Sequence, residues 1–230
     1  MIAAAGSGER LGAGGPKAFV PVGGRPLIEW SLRAFRGCER VAAVVVAAPP
    51  GLECELGEDV RVVDGGATRA ESVANALAAA ETEVVAIHDA ARPLVTPALI
   101  EALVATLEAS PAAAGVIAAA PITDTVKRTA PAERTNPASR PEEGPNAGLA
   151  VERTEDRTTL WAAQTPQVFR VDALRAALAV DAAVRDAATD EAMLVEAAGG
   201  TVLIHPSGPE NLKVTTPHDL QVAELLLAAR

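Results

Sequence analysis

The alternation of short apolar runs with longer amphipathic stretches is the feature that most constrains the fold of this 230-residue chain. The apolar runs are rich in β-branched residues and lack polar alternation, which is typical of strands buried on both faces. They lie at residues 41–48, 60–63, 84–88, 115–119 and 201–205. Helical patterns lie at residues 26–35, 72–80, 97–109, 171–179, 189–198 and 217–229. The sequence therefore predicts an α/β fold with a mostly parallel sheet covered by helices on both faces.

A glycine-rich segment follows the first apolar residues, with glycines at positions 6, 8, 12, 14 and 15 before Pro16 and Lys17. Glycine reaches positive φ and has no Cβ, so the backbone N–H groups of such a loop can surround a phosphate. Arg10 and Lys17 add positive charge. The segment lacks the GK[ST] ending of a P-loop, and its third glycine falls one residue too late for GxGxxG. The pattern predicts phosphate binding and disfavours dinucleotide binding and Walker-type hydrolysis.

The charge balance limits the possible partners. A net charge of −10 argues against binding to nucleic acid or to an anionic membrane, because either would be repelled. Cys38 and Cys54 occur in a chain with no signal peptide and no apolar run long enough to span a bilayer, so we expect a cytoplasmic protein. Of the 20 basic residues only Lys17, Lys127 and Lys213 are lysines.

Residues 129–156 interrupt the alternation, with four prolines among polar residues. The segment is too long and too polar for a loop within a compact core. Strand-like sequences flank it on both sides, which favours an extended two-stranded arm with a mobile tip. A disordered insertion is the alternative for the tip.

Seven segments, in this order, resemble one family of nucleotidyltransferases. They are AAGSGERLGAGGPK (4–17), VVDGGATRAESV (62–73), HDAARP (88–93), APITDTVKR (120–128), the stretch from Arg157 through TPQVF (165–169), TDEA (189–192) and ENLKVT (210–215). Together they are similar to the 2-C-methyl-D-erythritol 4-phosphate cytidylyltransferases of the non-mevalonate isoprenoid pathway. The resemblance extends over nearly the whole chain.

The resemblance implies a Rossmann-like nucleotidyltransferase fold in a single domain, residues 1–230, with a protruding β-arm at residues 122–158. It implies that the arm embraces a partner subunit in a homodimer. The implied reaction transfers CMP from CTP to 2-C-methyl-D-erythritol 4-phosphate. The implied cofactor is Mg²⁺, bound mainly with CTP, and no protein ligand for the metal is assigned.

The same resemblance assigns the site residues. The catalytic group comprises Arg10, Lys17, Arg157 and Lys213, of which the first two would stabilise the α-phosphoryl transition state and the last two would hold the methylerythritol phosphate. The nucleotide-binding group comprises Ala4, Ala5, Gly6, Ser7, Gly8, Gly65, Gly66 and Ser72. The group that binds the second substrate comprises Asp89, Arg92, Thr125, Thr165 and Thr189. Ala67 stands where the family commonly has an acidic residue.

Several alternatives stay open at this stage. Asp89 is also explained as a loop aspartate that caps a turn, and Thr189 as the N-cap of a helix. A cytidylyltransferase for another polyol phosphate, such as ribitol 5-phosphate, would share most of the motifs. A nucleotide-binding regulatory module without catalysis is the alternative from a different class. The chain retains the residues that the resemblance assigns to the reaction, which argues against that module; they are Arg10, Lys17, Asp89, Arg157 and Lys213.

Overall fold

The computed structural model describes residues 1–6, 8, 11–12, 15–52, 56–131 and 149–230. These residues form two compact units. The first consists of Met1–Ala119 with Ala163–Arg230, and the second of Ala120–Ala162.

Eleven strands and seven α-helices occur in the described residues. The strands are β1 (Ile2–Ala3), β2 (Pro21–Val22), β3 (Arg25–Pro26), β4 (Val44–Ala48), β5 (Val60–Asp64), β6 (Val84–Asp89), β7 (Gly115–Pro121), β8 (Lys127–Pro131), β9 (Leu149–Thr154), β10 (Trp161–Arg170) and β11 (Val202–Pro206). The helices are α1 (Leu27–Arg36), α2 (Arg69–Ala78), α3 (Pro97–Glu108), α4 (Val171–Leu178), α5 (Ala182–Ala187), α6 (Glu191–Ala197) and α7 (Pro217–Ala228). All five predicted strands and all six predicted helices are present, with shifted ends.

A seven-stranded sheet runs in the order β11, β7, β10, β6, β1, β4 and β5. The two-residue strand β1 lies inside it, with Ile2 paired in parallel to Val46 of β4 and to His88 of β6. The pairs of β4 with β5 and of β7 with β11 are also parallel. The prediction of a mostly parallel sheet is confirmed.

Strand β10 lies outside the apolar runs from which the sheet strands are predicted. It runs antiparallel to β6, with Gln167 opposite Ile87 and Phe169 opposite Val85. Its sequence includes Pro166 and two glutamines, so it lacks the continuous apolar run that marks the other buried strands. Residues 164–169 are nevertheless buried. The sheet is therefore mixed.

Helices cover both faces of this sheet. On one face, Val73 of α2, Leu174 of α4 and Val195 of α6 belong to a cluster with Ile87 and Phe169 of the strands. The opposite face carries α1 and α3, and their buried side chains include Ile28, Leu32, Phe35, Ile100 and Leu103. Apolar burial on both faces is the main source of stability in such a fold. In the described part of the chain, no helix has the length and apolar character needed to cross a membrane.

The helix starts follow from capping side chains. Thr216 accepts a hydrogen bond from the N–H of Asp219, whose carboxylate accepts one from the N–H of Thr216, and Pro217 opens α7 as the sequence predicts. For α6 the cap is Asp190, which accepts a hydrogen bond from the N–H of Met193. The alternative explanation of Thr189 as this cap is therefore wrong by one residue.

The second unit contains an antiparallel ribbon of β8 and β9, in which Lys127 pairs with Thr154 and Pro131 with Leu149. Two strands at these positions agree with the expectation for the flanks of the arm. Of the expected tip, residues 129–150, the part at 132–148 lies outside the described residues.

Candidate active site

A cavity of about 520 Å³ lies where β1 and β6 end, beside the N-terminal end of α2. Its position beyond the carboxyl ends of parallel strands is the usual place for ligands in such sheets. Nine residues predicted for the site line it: Ala4, Ala5, Gly6, Gly8, Lys17, Gly66, Ser72, Asp89 and Lys213. Ser7 and Arg10 were also predicted, and they lie outside the described residues.

The glycine loop closes tightly on itself at the cavity edge. The backbone N–H of Lys17 donates to the carbonyl of Gly6 at 3.1 Å, and that of Leu11 donates to Gly8 at 2.8 Å. Gly8 has a φ of +74°, and a Cβ added there would lie 2.8 Å from Cβ of Lys17. Only glycine allows this approach without strain. The loop thus brings Lys17 to the cavity beside the first strand.

The segment between β5 and α2 forms a second backbone turn at the cavity. Ser72 Oγ accepts a hydrogen bond from the N–H of Gly66 at 3.0 Å and donates to the carbonyl of Thr68 at 2.9 Å. Gly65 does not line the cavity, but a Cβ on it would lie 2.4 Å from Cβ of Ala5. Gly65 therefore lets this turn pack against the first loop, and Ser72 stabilises the turn through its two hydrogen bonds.

Asp89 lies between two cations at the end of β6. Its Oδ1 accepts from Arg69 Nε at 3.1 Å, and its Oδ2 lies 2.7 Å from Lys213 Nζ. Burial alone would raise the pKa of Asp89, but the charges of Arg69 and Lys213 outweigh burial and hold that pKa well below its usual range. Asp89 is thus a fixed negative charge, a better hydrogen-bond acceptor than proton donor.

Arg69 also contacts Glu191, and the sequence patterns did not single out either residue. Arg69 Nη1 lies 2.7 Å from both carboxylate oxygens of Glu191, which is only 1% exposed. Burial raises the pKa of Glu191, and the charge of Arg69 partly offsets that rise. Both residues lie within motifs that carry the family resemblance, but nothing local in sequence marks them as partners, because they are 122 positions apart.

Thr165 holds the backbone of Asp89 in place, not its carboxylate. Its hydroxyl oxygen accepts from the backbone N–H of Asp89 and lies 3.0 Å from Nδ1 of His88. His88 Nε2 lies 3.2 Å from the carbonyl of Arg92, which can only accept, so Nε2 carries the proton and Nδ1 accepts from Thr165. The hydroxyl therefore donates its proton and accepts one hydrogen bond within the protein. Burial lowers the pKa of His88 to about 3, which keeps the ring neutral.

The structure does not bring Arg92, Thr165 and Thr189, all predicted to bind the second substrate, to the cavity lining. Arg92 is buried and donates through Nη1 to the carbonyl of Asn211 at 2.7 Å, and burial lowers its pKa. It braces the segment that carries Lys213. Thr189 is exposed, with its hydroxyl 4.0 Å from the sulfur of Met193.

Thr125 and Arg157 belong to the second unit, where both are exposed. The Arg157 guanidinium donates to the carbonyl of Thr123. Asp156 accepts from the N–H of Thr158 and so caps the short 3₁₀ turn Arg157–Thr159. The second unit therefore carries the Arg157 side chain on a capped turn.

Known proteins resemble the whole chain. Residues 1–229 match the family model described as IspD: 2-C-methyl-D-erythritol 4-phosphate cytidylyltransferase. The enzyme of that name from Saccharopolyspora erythraea is 42% identical over 240 residues, covering 99% of this chain and 98% of the relative. The bifunctional enzyme IspD/IspF of Anaeromyxobacter dehalogenans is also 42% identical and covers 100% of this chain, which spans only 56% of that protein.

A solved structure gives the same result for the fold. The crystal structure of 2-C-methyl-D-erythritol 4-phosphate cytidylyltransferase from Thermus thermophilus superposes with a TM-score of 0.77 at 37% identity. The match covers 99% of this chain and 97% of that one. The glycine loop and the Asp89 cluster of this chain both line the cavity beyond the ends of β1 and β6. The chain belongs to the 2-C-methyl-D-erythritol 4-phosphate cytidylyltransferase family of nucleotidyltransferases.

Proposed function

We propose that the protein transfers CMP from CTP to 2-C-methyl-D-erythritol 4-phosphate. The products are 4-diphosphocytidyl-2-C-methyl-D-erythritol and pyrophosphate. The observation that carries the proposal is the cavity in which the glycine loop with Lys17 faces the paired charges of Asp89 and Lys213. A phosphate-binding loop and a polar acceptor site are the two parts that such a transfer needs.

The reaction requires no strong base. An oxygen of the acceptor phosphate attacks the α-phosphorus of CTP and forms a new P–O bond, while the bond to the β-phosphate oxygen breaks and its electron pair leaves with pyrophosphate. Catalysis then depends on alignment and on neutralising the phosphates. Lys17 serves the triphosphate and Lys213 the incoming phosphate. Asp89, a stable carboxylate beside Lys213, accepts hydrogen bonds from hydroxyl groups of the polyol.

The described residues fit a Mg²⁺ ion held mainly by the nucleotide. They contain no group of three or more His, Cys, Asp or Glu side chains arranged to hold a metal. Within this described part of the chain, Asp89 is the one carboxylate that lines the cavity, and both of its oxygens already face cations. Mg²⁺ commonly binds substrate phosphates with few protein ligands. When bound with CTP, it would neutralise phosphate charge and favour the departure of pyrophosphate.

A pyrophosphate-release assay tests the reaction. CTP, UTP and GTP are each paired with 2-C-methyl-D-erythritol 4-phosphate and with ribitol 5-phosphate. We expect the highest kcat/KM for CTP with the methylerythritol phosphate. A higher value with ribitol 5-phosphate would support the rival cytidylyltransferase. Tight CTP binding without turnover of any pair would support the non-catalytic module. Omission of Mg²⁺ with added chelator is expected to abolish release.

The second unit provides the proposed dimer contact. We infer that Thr125 and Arg157 complete the active site of a partner subunit in a cytoplasmic homodimer, because they flank the two-stranded ribbon that the family resemblance identifies as an intersubunit arm. Arg10→Ala and Arg157→Ala variants, each inactive alone, are dissociated together and reassembled. About half of the dimers are then mixed, each with one intact site, so activity should return to roughly a quarter of wild type. Failure to recover, with mixed dimers verified by mass spectrometry, contradicts catalysis in trans.

A further inference from the structure

Glu191 is a buried charge that the proposed reaction does not use. It begins α6, is 1% exposed, and places both carboxylate oxygens 2.7 Å from Arg69 Nη1. Burying a carboxylate costs several kcal/mol, which an ion pair repays only with good geometry and further hydrogen bonds. Since buried ion pairs are often no better for stability than apolar packing, stability alone does not explain this one.

Arg69 transmits the position of Glu191 to the cavity. Its guanidinium contacts Glu191 through Nη1 and Asp89 through Nε at 3.1 Å. Lys213 Nζ lies at the opposite oxygen of Asp89, 2.7 Å away. Positive and negative groups therefore alternate from Glu191 through Arg69 and Asp89 to Lys213. Arg69 and Asp89 each contact two groups of opposite charge, and Glu191 is the buried end of the series.

Glu191 itself is fixed to the sheet. The adjacent Asp190 caps α6 and accepts a hydrogen bond from Nε2 of Gln167 in β10 at 2.8 Å. The same strand carries Thr165, whose hydroxyl accepts from the backbone N–H of Asp89. Strand β10 thus holds both the backbone of Asp89 and the helix end that carries Glu191. This arrangement fixes the position of the Glu191 carboxylate, which in turn orients the flexible side chain of Arg69.

We propose that Glu191 is a positioning residue for the transfer reaction: it orients Arg69, and Arg69 with Lys213 fixes the Asp89 carboxylate for the polyol phosphate. The inference rests on the proposed function. Without Glu191, Arg69 keeps its charge but loses the contact that selects one of its many rotamers. Asp89 then samples orientations that do not match the hydroxyl groups of the acceptor. Misplacement of about 1 Å at a reacting group can cost on the order of 10²-fold in rate.

The decisive variant is Glu191→Gln, which keeps the shape of the side chain and removes its charge. We expect KM for 2-C-methyl-D-erythritol 4-phosphate to rise and kcat to fall, for a combined loss of about tenfold or more in kcat/KM. The Kd for CTP should stay within about twofold, because the glycine loop is untouched. Glu29→Gln is the matched control, since Glu29 on α1 forms an exposed ion pair with Arg25 of β3. Its kcat, and its KM for both substrates, should match those of wild type.

A double-substitution cycle distinguishes action through Arg69 from a general structural role. In an Arg69→Met background, adding Glu191→Gln should change kcat/KM by less than about twofold, because the intermediary is already gone. An equally large loss in that background overturns the proposal. So does a lower kcat with both KM values unchanged and a matching fall in thermal stability, which indicates only a smaller folded fraction.

A second variant keeps the inference testable if Glu191→Gln does not fold. Arg69→Lys retains the positive charge, but one ammonium lacks the planar fork that contacts both carboxylates. It should show the same rise in KM for the polyol phosphate with CTP affinity unchanged, and wild-type parameters would overturn the proposal. Wild-type turnover is measured first. Absence of pyrophosphate release by wild type rejects the proposed function, whereas an active wild type with unaffected variants rejects only the role of Glu191.

Discussion

The two sides of the cavity are built by different means. The loop side, formed by residues 4–6, Gly8 and Gly66 together with Lys17, is shaped by backbone turns at residues whose side chains, apart from that of Lys17, are absent or small. The charged side, formed by Arg69, Asp89 and Lys213 with the buried Glu191 paired to Arg69, consists of charged side chains held by ion pairs. The first side suits the common triphosphate of a nucleotide and the second suits a particular acceptor. We therefore propose that backbone shape determines nucleotide binding and that charge determines the acceptor.

Asp89→Asn should produce the largest effect, on the charged side. The variant leaves Arg69 and Lys213 without their shared carboxylate and removes the acceptor for polyol hydroxyl groups. We expect kcat/KM for the polyol phosphate to fall on the order of 10³-fold. Asp59→Asn serves as the control, because Asp59 pairs with Arg36 through two similar contacts on the exposed surface. Steady-state kinetics with each substrate varied measures both, and a loss confined to CTP binding would contradict the division of the cavity.

Gly8→Ala should affect the loop side by a smaller amount. A methyl group there would lie 2.8 Å from Cβ of Lys17 and must displace the loop. Lost hydrogen bonds to charged phosphates should weaken CTP binding on the order of 10²-fold. Gly24→Ala is a close control, because Gly24 has a similar φ of +77° but open space at its Cβ position. Both variants should lower Tm through left-handed strain, and only Gly8→Ala should change the Kd measured by calorimetry.

The same division explains what the sequence could predict. The glycine-rich segment that contains Gly8 is a local signal, the buried strands are predicted from continuous apolar runs, and Gly66 is assigned only through the family resemblance. Arg69 and Glu191 were missed because each is an ordinary charged residue near a helix start, and only the fold brings them together. Strand β10 was missed for a related reason, since Gln164 and Gln167 are buried polar residues whose partners come from elsewhere in the chain. Local geometry is readable from sequence, whereas long-range charge pairing is not.

Lys17→Arg should have an intermediate effect on the loop side. The substitution keeps the charge, but the planar guanidinium needs more room than the ammonium group, and the loop packs closely around this residue. We expect kcat to fall about tenfold with a smaller change in CTP affinity if Lys17 acts on the transition state, as the family resemblance implies. Rapid-quench turnover and equilibrium CTP binding separate the two quantities. Wild-type kcat in this variant would show that the loop accepts either cation.

The smallest effect on activity, and a distinct effect on stability, is expected for His88→Gln behind the charged side. Burial lowers the pKa of His88 to about 3 in the folded protein, against about 6.5 in the unfolded chain. The unfolded state therefore binds one more proton between these values, so the free energy of unfolding falls by about 1.4 kcal/mol for each pH unit of acidification in that range.

Glutamine does not titrate, and its amide can still donate to the carbonyl of Arg92. The variant should thus show a flatter dependence of Tm on pH between about 6 and 4, even if its Tm at pH 8 is lower. Activity at pH 8 should stay within a few-fold of wild type, because Arg69 and Lys213 still hold the Asp89 side chain. An unchanged slope of Tm against pH would mean that the titration of His88 does not account for the loss of stability in acid.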